Sequence, residues 1–250
     1  MTIPITKSKL ALVTGAAGSM GRAVVKSLIQ DGNRVIMVDI DESSLNRVIV
    51  DFPAESIIPI KLDISDPENI SSTFNTIEKD YGHVEILVNN AGILSNNKIL
   101  KTTLTEWKKI LSVNLTGTFL MIQAALPGMR ANKWGRIINI SSWSAKCGGV
   151  TSGTAYSVSK GGIITLTAAV ARETFRDNIT VNAIAPAWVK TPMVTEQLSH
   201  EEQKAAVEKI PIGRWCEPEE FAHTVSFLAS PLAGFITGEV IDMNAGAQMD

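Results

Sequence analysis

Short apolar runs and longer amphipathic stretches alternate along the whole chain. The runs "LALVT" (10–14), "RVIMVD" (34–39), "IIPIKLD" (57–63), "VEILVNN" (84–90), "RIINIS" (136–141), "ITVNAIA" (179–185) and "EVIDM" (239–243) predict seven strands. Most are continuously apolar and not alternating, which is the pattern of strands covered on both faces, as in a parallel sheet between helix layers. Helices are predicted over 20–30, 42–50, 67–81, 104–130, 154–174 and 218–228, with Asp66 as N-cap and Pro67 in the first turn of the third. Strand–helix alternation repeated in this way predicts an α/β fold: a Rossmann-like, doubly wound sheet of about seven parallel strands with helices on both faces. No shift in composition marks a second domain, so 1–250 reads as a single dinucleotide-binding and catalytic domain. An insertion at about 188–215, carrying Pro192, Pro211 and Gly213, breaks the rhythm and reads as a substrate loop.

Composition narrows the function classes. With 23 basic and 25 acidic residues and a net charge of −2, the chain carries no electrostatic footprint for nucleic acid or a membrane surface. The two cysteines, Cys147 and Cys216, lie far apart and fit a reducing, cytoplasmic setting. Three histidines without ligand spacing predict no metal site. The uncharged stretch 110–129 would have to carry Asn114, Gln123 and Pro127 through a membrane, so a buried helix of a soluble protein is expected instead.

"VTGAAGSMGRA" (13–23) joins the first strand to the first helix. Gly15, Gly18 and Gly21 permit a tight turn and close approach to a ligand, and the helix N-terminus offers free N–H groups to a phosphate. Glycines at such a turn serve packing as well as binding. Asp39, closing the second strand, stands where dinucleotide folds place a carboxylate on the ribose 2′-hydroxyl. A 2′-phosphate would be repelled there, with Asp41 close by, so NAD is expected in preference to NADP.

"TAYSVSK" (154–160) places Tyr156 and Lys160 one helical turn apart, on one face. A free phenol has a pKa near 10, too high for a base at neutral pH. A neighbouring ammonium favours the phenolate. Together with "TGAAGSMG" (14–21), "NNAG" (89–92), Asn114 in "SVNLTG", Ser142 in "INISS" and "NAIAPAWVKTPM" (182–193), this pair makes the chain resemble the classical short-chain dehydrogenases/reductases from Leu10 to about Gly246. The resemblance implies that Tyr156 is the acid/base, that Ser142 holds the substrate oxygen, that Lys160 binds the nicotinamide ribose and lowers the tyrosine pKa, and that Asn114 fixes a proton-relay water. It also implies cofactor contacts at Gly15, Ser19, Met20, Gly21, Asp39, Ile40, Asp63, Ile64, Asn90, Ala91, Gly92, Tyr156, Lys160, Pro186, Val189 and Thr191. A homotetramer built partly through the apolar stretches 110–129 and 161–171 is implied as well.

Three departures stand out. The glycines read T-G-x-x-G-x-x-G, with Ser19 where the family has its middle glycine. Ala187 replaces the glycine after Pro186. Ser142 and Tyr156 are 14 residues apart, one more than typical, and Ser141 and Ser144 are alternative hydroxyls. Around the pocket, Trp143, Ser144, Cys147, Trp188 and Met193 suggest a partly apolar wall, with Ser144, Trp188 and Met193 the candidate substrate contacts. The acidic residue at position 39 points to an NAD-dependent oxidoreductase acting on a small polyol, sugar or other secondary alcohol. The alternatives are a 3-oxoacyl thioester reductase, an NAD-retaining epimerase or dehydratase, and a non-catalytic NAD sensor.

Overall fold

The computed structural model of the chain describes residues 8–150, 152–192 and 199–249. Its seven strands are β1 (Leu10–Thr14), β2 (Arg34–Asp39), β3 (Ile57–Lys61), β4 (Ile86–Asn89), β5 (Gly135–Ile140), β6 (Ile179–Pro186) and β7 (Val240–Met243). They form one parallel sheet in the order β3-β2-β1-β4-β5-β6-β7. The Rossmann-like doubly wound fold expected from the alternation is therefore present.

Side chains alternate along each strand and feed two cores. Leu10 and Leu12 join Ile70, Phe74 and Ile77 of α3 (Pro67–Asp80), Met121 and Met129 of α5 (Thr118–Asn132), and Val170 of α7 (Thr154–Thr174). Ala11 and Val13 join Val24, Val25 and Leu28 of α1 (Ser19–Gln30), Leu45 of α2 (Glu42–Val48), and Phe221 and Val225 of the late helix Pro218–Ala229. Both faces of the strands are thus dry, which is why their sequences read as unbroken apolar runs. Asp66 caps α3 through the backbone N–H groups of Glu68 and Asn69, with Pro67 inside the first turn as the sequence predicts.

The long helical stretch expected over 104–130 is present, as Leu104–Asn132. It divides into α4 (Leu104–Leu111), a π-helical turn (Ser112–Gly117) and α5. Within this turn Gly117 packs so closely on Ile64 that a Cβ would lie 2.8 Å from the Ile64 carbonyl oxygen, and Asn114 is buried. This stretch, Leu104–Asn132, has the length and hydropathy of a membrane span. In the fold its Met121, Ile122, Ala125 and Met129 are buried against the sheet. The insertion after β6, expected as irregular, contains α8 (His200–Val207), closed by a Ser199–Glu202 capping box and with no residue fully buried. A short helix α6 (Ser144–Cys147) also follows β5, and Pro218–Ala229 is α9.

The turn between β1 and α1 is built by contact. Gly15 has φ +64°, and a Cβ at Gly21 would lie 2.1 Å from the Gly15 carbonyl oxygen. At Gly18 the nearest atom would be 3.5 Å away. Gly21→Ala should therefore cost at least about 2–3 kcal/mol of overpacking and lower the melting temperature by roughly 5–10 °C. Gly18→Ala should shift it by no more than about 2 °C. Thermal melts of the two variants check this, and equal melting temperatures would contradict the geometry.

Candidate active site

A parallel sheet places all strand carboxyl ends on one edge, and the order reverses between β1 and β4, where a doubly wound fold has its binding crevice. Gly15, Asp39, Asn90 and Ser142 follow or close β1, β2, β4 and β5, and Pro186 closes β6. The sequence-predicted residues therefore gather along one edge. Asp63 and Ile64 follow β3. Ile64 is buried in the core, so only its backbone faces that edge. Met193 lies outside the described residues.

The phosphate end is a helix terminus without a cap of its own. Asp41, Asp66 and Thr103 cap α2, α3 and α4 through their side chains. At α1 the N-cap is Gly18, with no side-chain bond and no acidic residue in the first turn. Those N–H groups suit an anion from outside the chain. Asn90 does not face a ligand with its amide: its Nδ2 donates to the carbonyls of Thr14 at 2.9 Å and Gly15 at 3.2 Å, tying the glycine turn to β4. Thr14 Oγ1 accepts from the N–H groups of Asn90 and Ala91, both at 3.0 Å. Asp39 Oδ2 accepts from Ala17 N–H at 3.0 Å and Oδ1 from Asp41 N–H at 3.1 Å, which holds a carboxylate beside the same turn. Ile40 is exposed next to it. Asp63 Oδ1 accepts from the backbone and hydroxyl of Ser65. This donor-rich, carboxylate-ended groove fits a dinucleotide.

The chemical end lies where α7 crosses β5. The Tyr156 phenol lies beside Ser142, whose hydroxyl favours the phenolate. Lys160 is buried, its Nζ 5.8 Å from the Tyr156 ring centre and donating to the Ile140 carbonyl at 2.7 Å. Gly92 adjoins both Lys160 Nζ and Asn114 Oδ1. The Asn114 amide is nearly fully engaged: Oδ1 accepts from Ile93 N–H at 2.8 Å, and Nδ2 donates to the Ile93 carbonyl and to Ser159 Oγ, both at 3.0 Å.

Three neighbouring serines, indistinguishable in sequence, have separate partners. Ser141 Oγ donates to the Lys160 carbonyl at 2.8 Å. Ser142 meets Tyr156 and also accepts from Ser144 N–H at 3.1 Å. Ser144 Oγ accepts from Ser152 at 2.8 Å. Ser142 is the hydroxyl that pairs with the phenol.

Burial raises the Tyr156 phenol above its ordinary value, and the Ser142 hydrogen bond only partly offsets this. Burial also pulls Lys160 down to about 8. Within the protein alone, desolvation outweighs the ammonium–phenol attraction, because both groups lose water while Nζ makes its bond to a carbonyl.

Beside Ser142, Trp143 and Trp188 stack at 4.8 Å between ring centres, tilted by 41°. Trp188 has φ +49°, in the left-handed region that a tryptophan seldom adopts. Trp143 Nε1 donates to Gln248 Oε1 at 3.0 Å. A cavity of about 150 Å³ behind Trp188 is lined by Ile210, Ile212, Cys216 and Met243 among others. Residues that sequence reasoning did not reach include Thr14, Ile93, Ser159 and the Ile140 carbonyl. Two of these act through backbone atoms, which no residue-type pattern reveals.

A family model described as enoyl-(acyl carrier protein) reductase matches residues 15–248. The chain belongs to the short-chain dehydrogenase/reductase family. It is an oxidoreductase of a family that uses a nicotinamide cofactor. It is 37% identical over 243 residues to the 3-oxoacyl-[acyl-carrier-protein] reductase FabG of Vibrio cholerae, covering 97% of this chain and 98% of that protein. The FabG of Aquifex aeolicus is 38% identical, with 96% and 97% covered. That of Escherichia coli is 36% identical over 244 residues, with 97% and 98% covered. These relatives overturn the expectation of a polyol, sugar or simple secondary-alcohol substrate and favour the alternative, a 3-oxoacyl thioester. Position 39 misled because it reports on the cofactor's ribose and carries no information about the substrate.

Proposed function

We propose that this chain reduces the 3-oxo group of a 3-oxoacyl thioester to a hydroxyl group. The observation that carries the reading is the Tyr156 phenol set beside Ser142 with Lys160 one turn away, in a chain of the same extent as relatives named for that reaction. Ser142 and Tyr156 donate hydrogen bonds to the ketone oxygen as negative charge develops there, and Tyr156 gives it a proton. Lys160 stabilises the phenolate left behind. A pKa of about 8 keeps Lys160 largely protonated at neutral pH and able to pass a proton on. Asn114 fixes Ile93 and Ser159, and its spare Oδ1 lone pair suits a relay water.

The Gly15–Gly21 turn and the uncapped start of α1, with Ser19 and Met20 in its first turn, would hold the cofactor's pyrophosphate. Asp39 and Ile40 take the adenosine ribose, and Asp63 and Ile64 take the adenine. Asn90, Ala91 and Gly92 line the middle, and Pro186, Val189 and Thr191 take the nicotinamide end. A bound reduced nicotinamide supplies the hydride. The Asp39 carboxylate favours NADH over NADPH, because the nearest cation after the turn, Arg22, is paired with Asp51 at 2.6 Å. Ser144, Trp143 and Trp188 form the substrate wall. We place the enzyme in the cytoplasm, where the free thiols Cys147 and Cys216 stay reduced.

The assay is oxidation of NADH and NADPH at 340 nm with the 3-oxobutyryl thioester of N-acetylcysteamine. The parent should turn over with NADH preferred. Tyr156→Phe should lose about 10³-fold in kcat/KM, and Asp39→Ala should narrow the NADH preference roughly ten-fold. Turnover of polyols without turnover of the thioester would contradict the reading.

We also propose a homotetramer. Leu104, Phe119, Val158, Phe227, Leu232 and Phe235 are exposed apolar side chains. Two self-complementary faces on one chain generate a closed assembly of four. Sedimentation equilibrium should report a tetramer that falls to dimers in Phe119→Glu or Phe235→Glu, and a monomeric parent would contradict it.

A further inference from the structure

Four consecutive residues at the carboxyl end of β5 each commit one polar group to α7. Asn139 Nδ2 donates to Thr167 Oγ1 at 3.0 Å. The Ile140 carbonyl accepts from Lys160 Nζ at 2.7 Å. Ser141 Oγ donates to the Lys160 carbonyl at 2.8 Å. Ser142 pairs with the Tyr156 hydroxyl. The proposed chemistry uses the second and fourth of these bonds and leaves the first and third without a role.

The third bond is unusual in where it lands. Lys160 is held at both ends by two adjacent residues, its side chain by the Ile140 carbonyl and its main chain by the Ser141 hydroxyl. A helix carbonyl already serves its own ladder, so α7 does not need this second donor to be a helix. Ser141 is 1% exposed. A buried hydroxyl costs about 1–3 kcal/mol unless it is bonded, and a small apolar residue would avoid that cost. The groups around Lys160 apart from Tyr156, namely Gly92, Asn114, Ile140 and Ser141, are uncharged. Tyr156 and Lys160 share α7, so the register of α7 along β5 sets where the phenol meets Ser142 and where the ammonium meets the Ile140 carbonyl.

We propose that Ser141 is a positioning residue of the reductase: by gripping the Lys160 carbonyl it fixes the register of α7 on β5 and so sets where the Tyr156 phenol meets Ser142 and where the Lys160 ammonium meets the Ile140 carbonyl. The inference rests on the proposed function and deepens it. Asn139 and Thr167 stitch the same two elements two turns further along without touching Lys160, so they supply the control.

The experiment compares the pH profiles of kcat and KM for Ser141→Ala and Thr167→Val with the thioester and NADH. Both variants remove one hydroxyl at nearly constant shape. Ser141→Ala should lower kcat roughly ten- to hundred-fold, with KM within about two-fold, and shift the limb of the profile by about one pH unit. Thr167→Val should lower the melting temperature and leave the profile in place. A Ser141→Ala enzyme with the parental kcat and profile overturns the proposal. So does an equal shift in both variants, which would mean general loosening. Absence of thioester turnover in the parent is a separate result and overturns the reductase reading itself.

Discussion

The site exists because α7 lies across the end of β5 at close range. On another side α7 packs closely on the π-helical turn: at Gly162 a Cβ would lie 2.7 Å from Leu115 Cδ2. Ile163, Val170 and Ala171 then bury the lower face of α7 against the sheet. Once that contact is made, the phenol, the serine hydroxyl and the ammonium have little freedom left. Preorganisation of this kind lets polar groups act without rearranging at the moment of reaction.

The same burial has an electrostatic cost. Desolvation drives the Tyr156 phenol up and the Lys160 ammonium down, so that each is biased toward its neutral form. For a ketone reductase this bias is useful, since a protonated phenol is the form that donates. Buried polar groups at the end of β5 are almost all bonded. Asn89 Nδ2 reaches Asn139, which reaches Thr167, and among the described residues only Asn89 Oδ1 and Asp242 Oδ1 are buried without a partner. The network is therefore directional and closed around α7.

Much of this was legible in the sequence, for identifiable reasons. β1 and β2 fall where the apolar runs place them, because strands dry on both faces need unbroken runs. Helix α7 matches its predicted bounds of Thr154 to Thr174. The π-helical turn was not legible, since one extra residue per turn leaves the apolar period of 104–130 almost unchanged. Helices α6 and α8 were missed because the first is a single turn and the second buries no face. The serine triplet was ambiguous because identical side chains differ only in what the fold sets opposite them. The substrate class was misread from Asp39, a residue held by backbone N–H groups at the cofactor turn.

The proposed chemistry depends on a half-buried phenol beside Ser142, and the chain has only two tyrosines, Tyr81 and Tyr156. In a Tyr81→Phe background, absorbance at 295 nm against pH reports Tyr156 alone. Burial predicts a midpoint above the ordinary tyrosine value of about 10, moving higher still in Ser142→Ala, because the lost hydrogen bond had favoured the phenolate. An ordinary midpoint that ignores the Ser142 substitution would contradict the account.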